Sequence, residues 1–188
     1  MLTQILQFLL ETVAGFMVFL LLSRFYMQLA RVSFRNPIGQ FVTALSNWMV
    51  MPARRVIPGL FGLDLASLVC AWLVQALLVT SLLYLRRFSI DAGTDLLVIG
   101  AIGLIDLARA AIQLTIGLII VQVVISWVNP QAPLAPFFNG MTRPFLLPLQ
   151  RIVPMVGNID LSPLVYVVLA QIAVIVISGL TRPLYALL

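Results

Sequence analysis

The chain has 188 residues, of which 62% are hydrophobic and 9% are charged, and its mean hydropathy is +1.13. A soluble domain carries roughly 25% charged residues, so this composition excludes an ordinary water-soluble globule. The formal charge of +5 comes from arginines in short connections between apolar runs, which favours anionic lipid headgroups over nucleic acid as the partner. The chain has no histidine, which excludes acid–base catalysis and haem ligation by that residue, and a lone Cys70 excludes an intramolecular disulfide.

Four apolar runs approach or exceed the roughly 20 residues that a membrane crossing needs. We place the spans at about 12–30, 65–85, 107–128 and 161–180. The chain start lacks the positive region of a signal peptide, so the first run is predicted to remain a membrane helix. The third run extends back to Leu96, and Asp106 and Arg109 interrupt it at a spacing that allows them to pair. We therefore expect residues 96–105 to lie at or beyond the membrane interface.

An internal repeat organises these runs. A shift of 96 positions aligns residues 37–75 with 133–171 without a gap, and 11 of the 39 aligned positions are identical. Three prolines, an arginine, an aspartate and a glutamine are among the identities, which apolar composition alone does not explain. We therefore predict two repeats, 1–92 and 93–188, each with two spans. Because two spans return the chain to the same side, the repeats should be parallel and related by a two-fold axis along the membrane normal.

Each repeat contains a connector between its two spans, at about 37–51 and 133–147. The apolar residues of both connectors recur at helical spacing, and 15 residues of helix reach about 22 Å, which is too short to cross a bilayer. Two placements stay open: an amphipathic helix in the interface, or a re-entrant segment that lines a cavity. We expect Pro52 and Pro148 to end the regular helices.

Polar residues at the connector ends form the first group of candidate sites. Arg55 and Arg151 lie at the centres of Pro-x-x-Arg-x-x-Pro segments, and Arg54 adjoins the first. Their planar guanidinium groups suit lipid phosphates, with a substrate anion as an alternative. Pairing of Arg55 with Asp64 and of Arg151 with Asp160 is a third interpretation. The two aspartates begin the second and fourth spans, where they are predicted either to cap the helices or to form a symmetric pair that binds a cation.

Gln75 and Gln171 form the second group. Each lies 11 residues beyond its repeat's aspartate, about three turns along the same helix face and about 16 Å deep, near the bilayer middle. An amide at that depth should face protein or water. It is predicted to make a hydrogen bond between helices, or to line a polar path near the two-fold axis, and Gln113 and Gln122 are placed to join either network.

The chain resembles the YggT family, also called the YlmG family, over nearly its whole length. The resemblance is carried by Asn36-Pro37-Ile38-Gly39-Gln40-Phe41, Pro52-Ala53-Arg54-Arg55-Val56-Ile57-Pro58, Gly62-Leu63-Asp64-Leu65-Ala66-Ser67-Leu68, Ser126-Trp127-Val128, the segment 144–154, and Ile159-Asp160-Leu161-Ser162-Pro163-Leu164. The family often has a second arginine where this chain has Gln150. The resemblance implies links to osmotic tolerance, ion homeostasis and envelope or division functions in bacteria, and to cytochrome maturation and nucleoid or thylakoid organisation in photosynthetic relatives.

The functional expectation is a non-enzymatic protein of the bacterial inner membrane. The sequence contains no P-loop, GxSxG or HExxH motif and no Cys–His pair, and no cofactor or metal is predicted. We expect it to organise or assist the assembly of other membrane components, in contact with anionic lipids, other membrane proteins and, as a further option, copies of itself. The alternative is a small oligomeric channel for ions or osmolytes. Arginine counts place the connectors in the cytoplasm and both termini outside.

Overall fold

The computed structural model describes residues 1–57, 59, 63–85, 94–153 and 160–185 of the chain. This part is helical. Its six helices are α1 (Leu2–Leu29), α2 (Pro37–Val56), α3 (Leu65–Leu85), α4 (Thr94–Val128), α5 (Ala135–Gln150) and α6 (Ser162–Tyr185).

Four of these helices are long and apolar enough to cross a membrane. The candidate spans are Leu2–Leu29, Leu65–Leu85, Leu96–Val128 and Ser162–Thr181. The all-helical class and the number of long apolar helices are therefore confirmed, and the chain has the architecture of a multi-pass membrane protein. The parallel arrangement of two repeats stays a prediction.

The first and third long helices extend further than the predicted spans. Helix α1 begins at Leu2 instead of near residue 12, and α4 is continuous from Thr94, including residues 96–105. This first part of α4 packs along α3. An added Cβ at Gly103 would lie 3.1 Å from the Cα of Ala76, and Trp72 Nε1 donates to the carbonyl of Gly100 at 2.9 Å. Helix α4 therefore packs against α3 well before the predicted start of its crossing at residue 107.

The connectors are helices α2 and α5, and both are longer at their C-terminal ends than predicted. Asn36 caps α2 by accepting from the Gly39 amide at 2.7 Å, and Pro37 occupies the first turn, where its missing amide costs little. The expectation that Pro52 and Pro148 end these helices was wrong, because both lie inside them. Both prolines are exposed, so their rings do not disturb the packed faces. The two placements of the connectors, in the membrane interface or as re-entrant segments, both stay predictions.

The largest apolar core lies where α1, α2, α3 and α4 meet. Its buried side chains are Val18, Leu21, Leu22, Val50, Ala66, Cys70, Ala71, Leu107 and Leu114. A second buried cluster of Met27, Phe137 and Met141 joins α1 to α5. These two clusters hold α2 and α5 beside the C-terminal end of α1.

Candidate functional site

A buried charge cluster ties α1 and α2 to the start of α3. We call it the Asp64 cluster, and it consists of Arg24, Ser46, Asn47, Arg54, Asp64 and Ser67. Arg24 Nε donates to Asp64 Oδ2 at 3.1 Å, and its Nη1 donates to Ser46 Oγ at 2.9 Å and to Asn47 Oδ1 at 2.8 Å. Arg54 donates from Nη2 to Oδ2 of the same carboxylate at 2.5 Å and from Nε to Oδ1 at 3.2 Å. One carboxylate thus joins two arginines from different helices.

Arg24 and Asp64 need each other as counterions because both side chains are buried. The side chains of Asp64 and Arg24 are 2% and 6% exposed, whereas that of Arg54 is 47% exposed. A charge removed from water needs a hydrogen-bonded counterion, since otherwise its desolvation costs several kcal/mol. Arg24 is therefore balanced by Asp64 inside the protein, while Arg54 presents part of its guanidinium outward.

The electrostatics of the Asp64 cluster favour its charged form. Burial raises the pKa of Asp64, but hydrogen bonds from Arg54 and Ser67 and the charges of Arg54 and Arg24 outweigh it, so this pKa lies below its usual range. The hydrogen bond to Asp64 in turn raises the pKa of Arg54, despite partial burial. The cluster carries one carboxylate against two guanidinium groups, so its net charge is positive.

In the second repeat, the carboxylate of Asp160 accepts hydrogen bonds from uncharged donors. Gln150 Nε2 donates to Asp160 Oδ2 at 2.8 Å, and the Ser162 amide donates to Oδ1 at 2.9 Å. The 96-residue shift relates Arg54 to Gln150 and Asp64 to Asp160, so an aligned contact recurs with an amide in place of an arginine. Burial raises the pKa of Asp160, but the hydrogen bonds from Ser162 and Gln150 outweigh this effect, so the pKa lies below its usual range.

Both aspartates also accept a backbone amide at the start of the following helix. Asp64 Oδ1 accepts from the Ser67 amide at 3.4 Å, and its Oδ2 accepts from Ser67 Oγ at 2.6 Å. Each carboxylate therefore accepts a hydrogen bond at the start of its helix, and Asp64 is in addition an ion-pair partner. The helix-cap role of the two acids stays a prediction. Within the described residues the two carboxylates belong to separate clusters, with different partners.

The arginines predicted to bind anions have different surroundings. Asp64 pairs with Arg54 and Arg24, not with Arg55, and Asp160 contacts Gln150, not Arg151. Arg55 and Arg151 are both exposed. Arg54 and Arg55 follow each other in the last turn of α2, so the outer half of the Asp64 cluster is a basic surface next to the candidate spans.

A large groove lies between α1 and α4, and we call it the α1–α4 groove. Its volume is about 970 Å³, and residues of α2, α3, α5 and α6 also line it. Much of its lining is apolar. Its polar lining consists of Glu11, Ser23, Gln75, Asp106, Arg109, Gln113 and Thr181. Glu11 and Gln113 are exposed, and Arg109 is 45% exposed, so the groove is open along one side.

The two glutamines predicted as an intramembrane pair lie in different environments. Gln75 lines the α1–α4 groove, and its buried Oε1 has no hydrogen-bond partner in the part of the chain that the structure describes. Gln171 is exposed on the outer surface of α6. Of the two glutamines named with them, Gln113 lines the groove and Gln122 donates to Asn139 Oδ1 at 3.2 Å.

Arg24 was not among the residues singled out from the sequence, although it carries the buried pair. The sequence feature that indicates this pair is a single charge within the apolar run 12–30. Ionisable residues inside a membrane span usually face the protein interior and have a partner. Asp106 and Arg109 were recognised as a pair. Their closest atoms are 3.9 Å apart, so the contact is loose and leaves hydrogen-bonding capacity on both groups.

The described residues contain no group of side chains suited to bind a metal ion. There, no three or more Cys, Asp or Glu side chains lie together in a way that holds a metal ion, and the sequence has no histidine.

Comparison with known proteins identifies what the chain is similar to. Two tandem segments, residues 3–85 and 101–181, match the CCB3/YggT family. No solved structure matches the chain significantly.

Individual relatives match over most of their length. An uncharacterised protein of Pseudomonas aeruginosa is 34% identical over 176 residues, which cover 92% of this chain and 88% of the relative. The YggT protein of Escherichia coli K12 is 32% identical over 168 residues, covering 89% and 86%, and is also uncharacterised. An uncharacterised protein of Vibrio alginolyticus is 29% identical over 182 residues, covering 96% and 97%.

Proposed function

Because the chain belongs to the CCB3/YggT family, we propose that it is a non-enzymatic inner-membrane protein that organises or assists the assembly of other membrane components. In this role it serves envelope or osmotic homeostasis. The observation that carries the proposal is the α1–α4 groove, which presents polar groups on the flank of four candidate spans. A groove of this kind suits another membrane helix better than it suits lipid.

The polar groups of the groove favour an occupant with hydrogen-bond donors. Glu11 and Asp106 place two carboxylates in the groove lining together with the single guanidinium of Arg109, and the Gln75 side chain adds an amide. Glu11 also accepts from Gln7 Nε2 at 2.8 Å, which leaves further acceptor capacity on its carboxylate. Acyl chains offer no donors, and an unsatisfied polar group in hydrocarbon costs several kcal/mol. A transmembrane helix with an amide, hydroxyl or basic side chain at middle depth satisfies these acceptors.

The depth of these groups agrees with a helix as the occupant. Gln75 lies near the centre of α3, and the close approach of Gly103 to Ala76 places Asp106 beside the same part of that helix. Lipid headgroups lie about 15 Å or more from the bilayer middle and do not reach this level. A membrane-spanning partner does.

The walls of the groove leave room for a partner. Gly15 on α1 and Gly117 on α4 both line it, and a Cβ added at either position meets no atom within 4 Å. Small residues at such positions allow another helix to approach closely. The N-terminal half of α1 is mostly exposed, which extends the available surface beyond the groove itself.

The connector helices supply the second part of the proposal, an attachment to the membrane surface. Arg54, Arg55 and Arg151 present guanidinium groups near the ends of α2 and α5, and Trp48 and Met51 of α2 are exposed. Exposed basic and aromatic side chains on an amphipathic helix suit anionic headgroups and the underlying apolar layer. This anchor fixes the depth at which the groove meets its partner.

Site-specific photo-crosslinking in intact cells tests the proposal. A photoreactive amino acid at Gln113 in the groove should capture a discrete membrane protein, whereas the same group at Val124, exposed on α4 outside the groove, should not. Gly117→Leu fills the groove and should abolish capture, while Val124→Leu should not. Deletion of the chain should reduce assembly of the captured protein. Labelling of lipid alone from Gln113, or an unchanged product in Gly117→Leu, contradicts the proposal.

A second candidate function is a small oligomeric channel for ions or osmolytes. The observation that favours it is the polar lining of the groove, since water in the groove can hydrogen-bond to the side chains of Gln75, Asp106 and Gln113. Purified protein in liposomes distinguishes the two. Cation flux that Gly117→Leu blocks and Val124→Leu preserves supports the channel, whereas sealed liposomes together with a groove crosslink support the assembly role.

A further inference from the structure

Helix α6 carries an exposed amide on an otherwise apolar outer surface, and a second copy of the chain best accounts for it. We propose that two copies pair through α6 about a two-fold axis along the membrane normal, with the Gln171 side chains hydrogen-bonded to each other. The contact seam consists of Leu164, Val168, Gln171 and Ile175. None of these four residues lines the α1–α4 groove, so pairing through α6 leaves the groove free.

Helix α6 is the least buried of the four candidate spans. Its most apolar 18-residue window is 11% buried, against 22% for each of the other three candidate spans. On the seam, Leu164, Val168 and Ile175 are 62%, 51% and 70% exposed, and Gln171 is exposed as well. A single copy therefore leaves this side of the helix uncovered.

The spacing of the seam suits a pair of helices. Successive members are four, three and four residues apart, which is the spacing that keeps one stripe of side chains facing a partner in a left-handed helix pair. The stripe passes through the middle of α6, since Gln171 lies nine residues after Ser162, or about 14 Å along the axis. The amide therefore lies at about the depth where lipid offers neither donor nor acceptor.

The chemistry of the amide selects a second copy as the partner. No hydrogen bond of Gln171 occurs within the described residues, in contrast with Gln122, whose amide reaches Asn139. A glutamine side chain has both donor and acceptor atoms, so two of them related by a two-fold axis can form two reciprocal hydrogen bonds. Copies inserted in the same direction carry Gln171 at the same depth, and a two-fold axis along the membrane normal brings these amides together.

Disulfide crosslinking in lipid tests the geometry. In a Cys70→Ser background, Ile175→Cys lies on the seam, while Val176→Cys is 100° further around the helix and similarly exposed, at 61% against 70%. Mild oxidation of the reconstituted full-length protein should give a dimer with Ile175→Cys and little with Val176→Cys. Equal crosslinking at both positions, or none at Ile175→Cys at any protein-to-lipid ratio, overturns the proposal.

Substitution of Gln171 tests the chemistry. Energy transfer between labelled copies in liposomes should show that Gln171→Leu lowers the dimerisation constant about tenfold, the size expected when intramembrane hydrogen bonds are lost. Gln171→Asn keeps the amide and should retain most of the association. The control Gln40→Leu removes an exposed amide from α2, outside the spans, and should change nothing. An unchanged constant in Gln171→Leu refutes the amide contact even if a dimer forms.

Discussion

Arg24 and Asp64, separated by 40 residues in the chain, meet at 3.1 Å where both side chains are almost excluded from solvent. Replacing Asp64 by Ala leaves Arg24 buried without its counterion, so we expect a loss of about 3–5 kcal/mol in the free energy of unfolding. Thermal unfolding of the purified protein in detergent, followed by tryptophan fluorescence, measures this loss.

The matched control is Asp160→Ala. Asp160 contacts neutral donors and is less buried than Asp64, so its removal should cost about 1 kcal/mol, the usual cost of a lost helix cap. The double variant Arg24→Leu/Asp64→Leu removes both buried charges and should be more stable than Asp64→Ala. Equal effects of the two single substitutions contradict the buried ion pair.

The pH dependence of stability should follow the Asp64 carboxyl. Its pKa in the folded protein lies below its usual range, although burial opposes this shift. A group of this kind stabilises the fold fully above its unfolded pKa of about 3.9, and its contribution disappears as the pH falls through the folded pKa. We therefore expect the melting temperature to decrease when the pH is lowered below about 4. Asp64→Asn should flatten that fall, and an equally steep fall in this variant excludes Asp64 as its main cause.

Two glycines of α4 should respond differently to the same substitution. A Cβ at Gly103 would lie 3.1 Å from the backbone of Ala76, so Gly103→Leu must push α3 and α4 apart and should lower the melting temperature by several degrees. A Cβ at Gly117 meets no atom within 4 Å, so Gly117→Leu should leave the melting temperature unchanged or slightly raised. Comparable losses in the two variants contradict the described packing of α4.

The elements that the sequence predicts well are those with a strong repeating signal. Apolar runs indicated the four long helices, and helical spacing indicated α2 and α5. Their ends were less predictable, because Pro52 and Pro148 are tolerated on exposed faces near the helix ends. Residue type alone also did not determine which arginine reaches Asp64, because that choice depends on the turn of α2 that faces the start of α3. The different surroundings of Gln75 and Gln171 likewise depend on which helix faces are covered.

The distribution of arginines indicates the orientation of the protein in the membrane. The connectors carry Arg31, Arg35, Arg54, Arg55, Arg143 and Arg151, whereas the opposite side carries Arg86, Arg87, Arg182 and, if it is counted there, Arg109. Because arginines in short connections are retained in the cytoplasm, we expect both connectors inside and both termini outside. Single cysteines at Ala44 and Gly93, in a Cys70→Ser background, report the two sides when intact cells receive a membrane-impermeant maleimide.

Ala44 is the better reporter on α2 because it is exposed, whereas the nearby Asn47 accepts a hydrogen bond from Arg24 and its replacement would disturb the Asp64 cluster. We expect labelling at Gly93→Cys and protection at Ala44→Cys until the cells are permeabilised. The reverse pattern inverts the orientation and places the basic ends of α2 and α5 outside. In that case anionic lipids of the cytoplasmic leaflet no longer explain Arg54, Arg55 and Arg151, since these arginines would face the other leaflet.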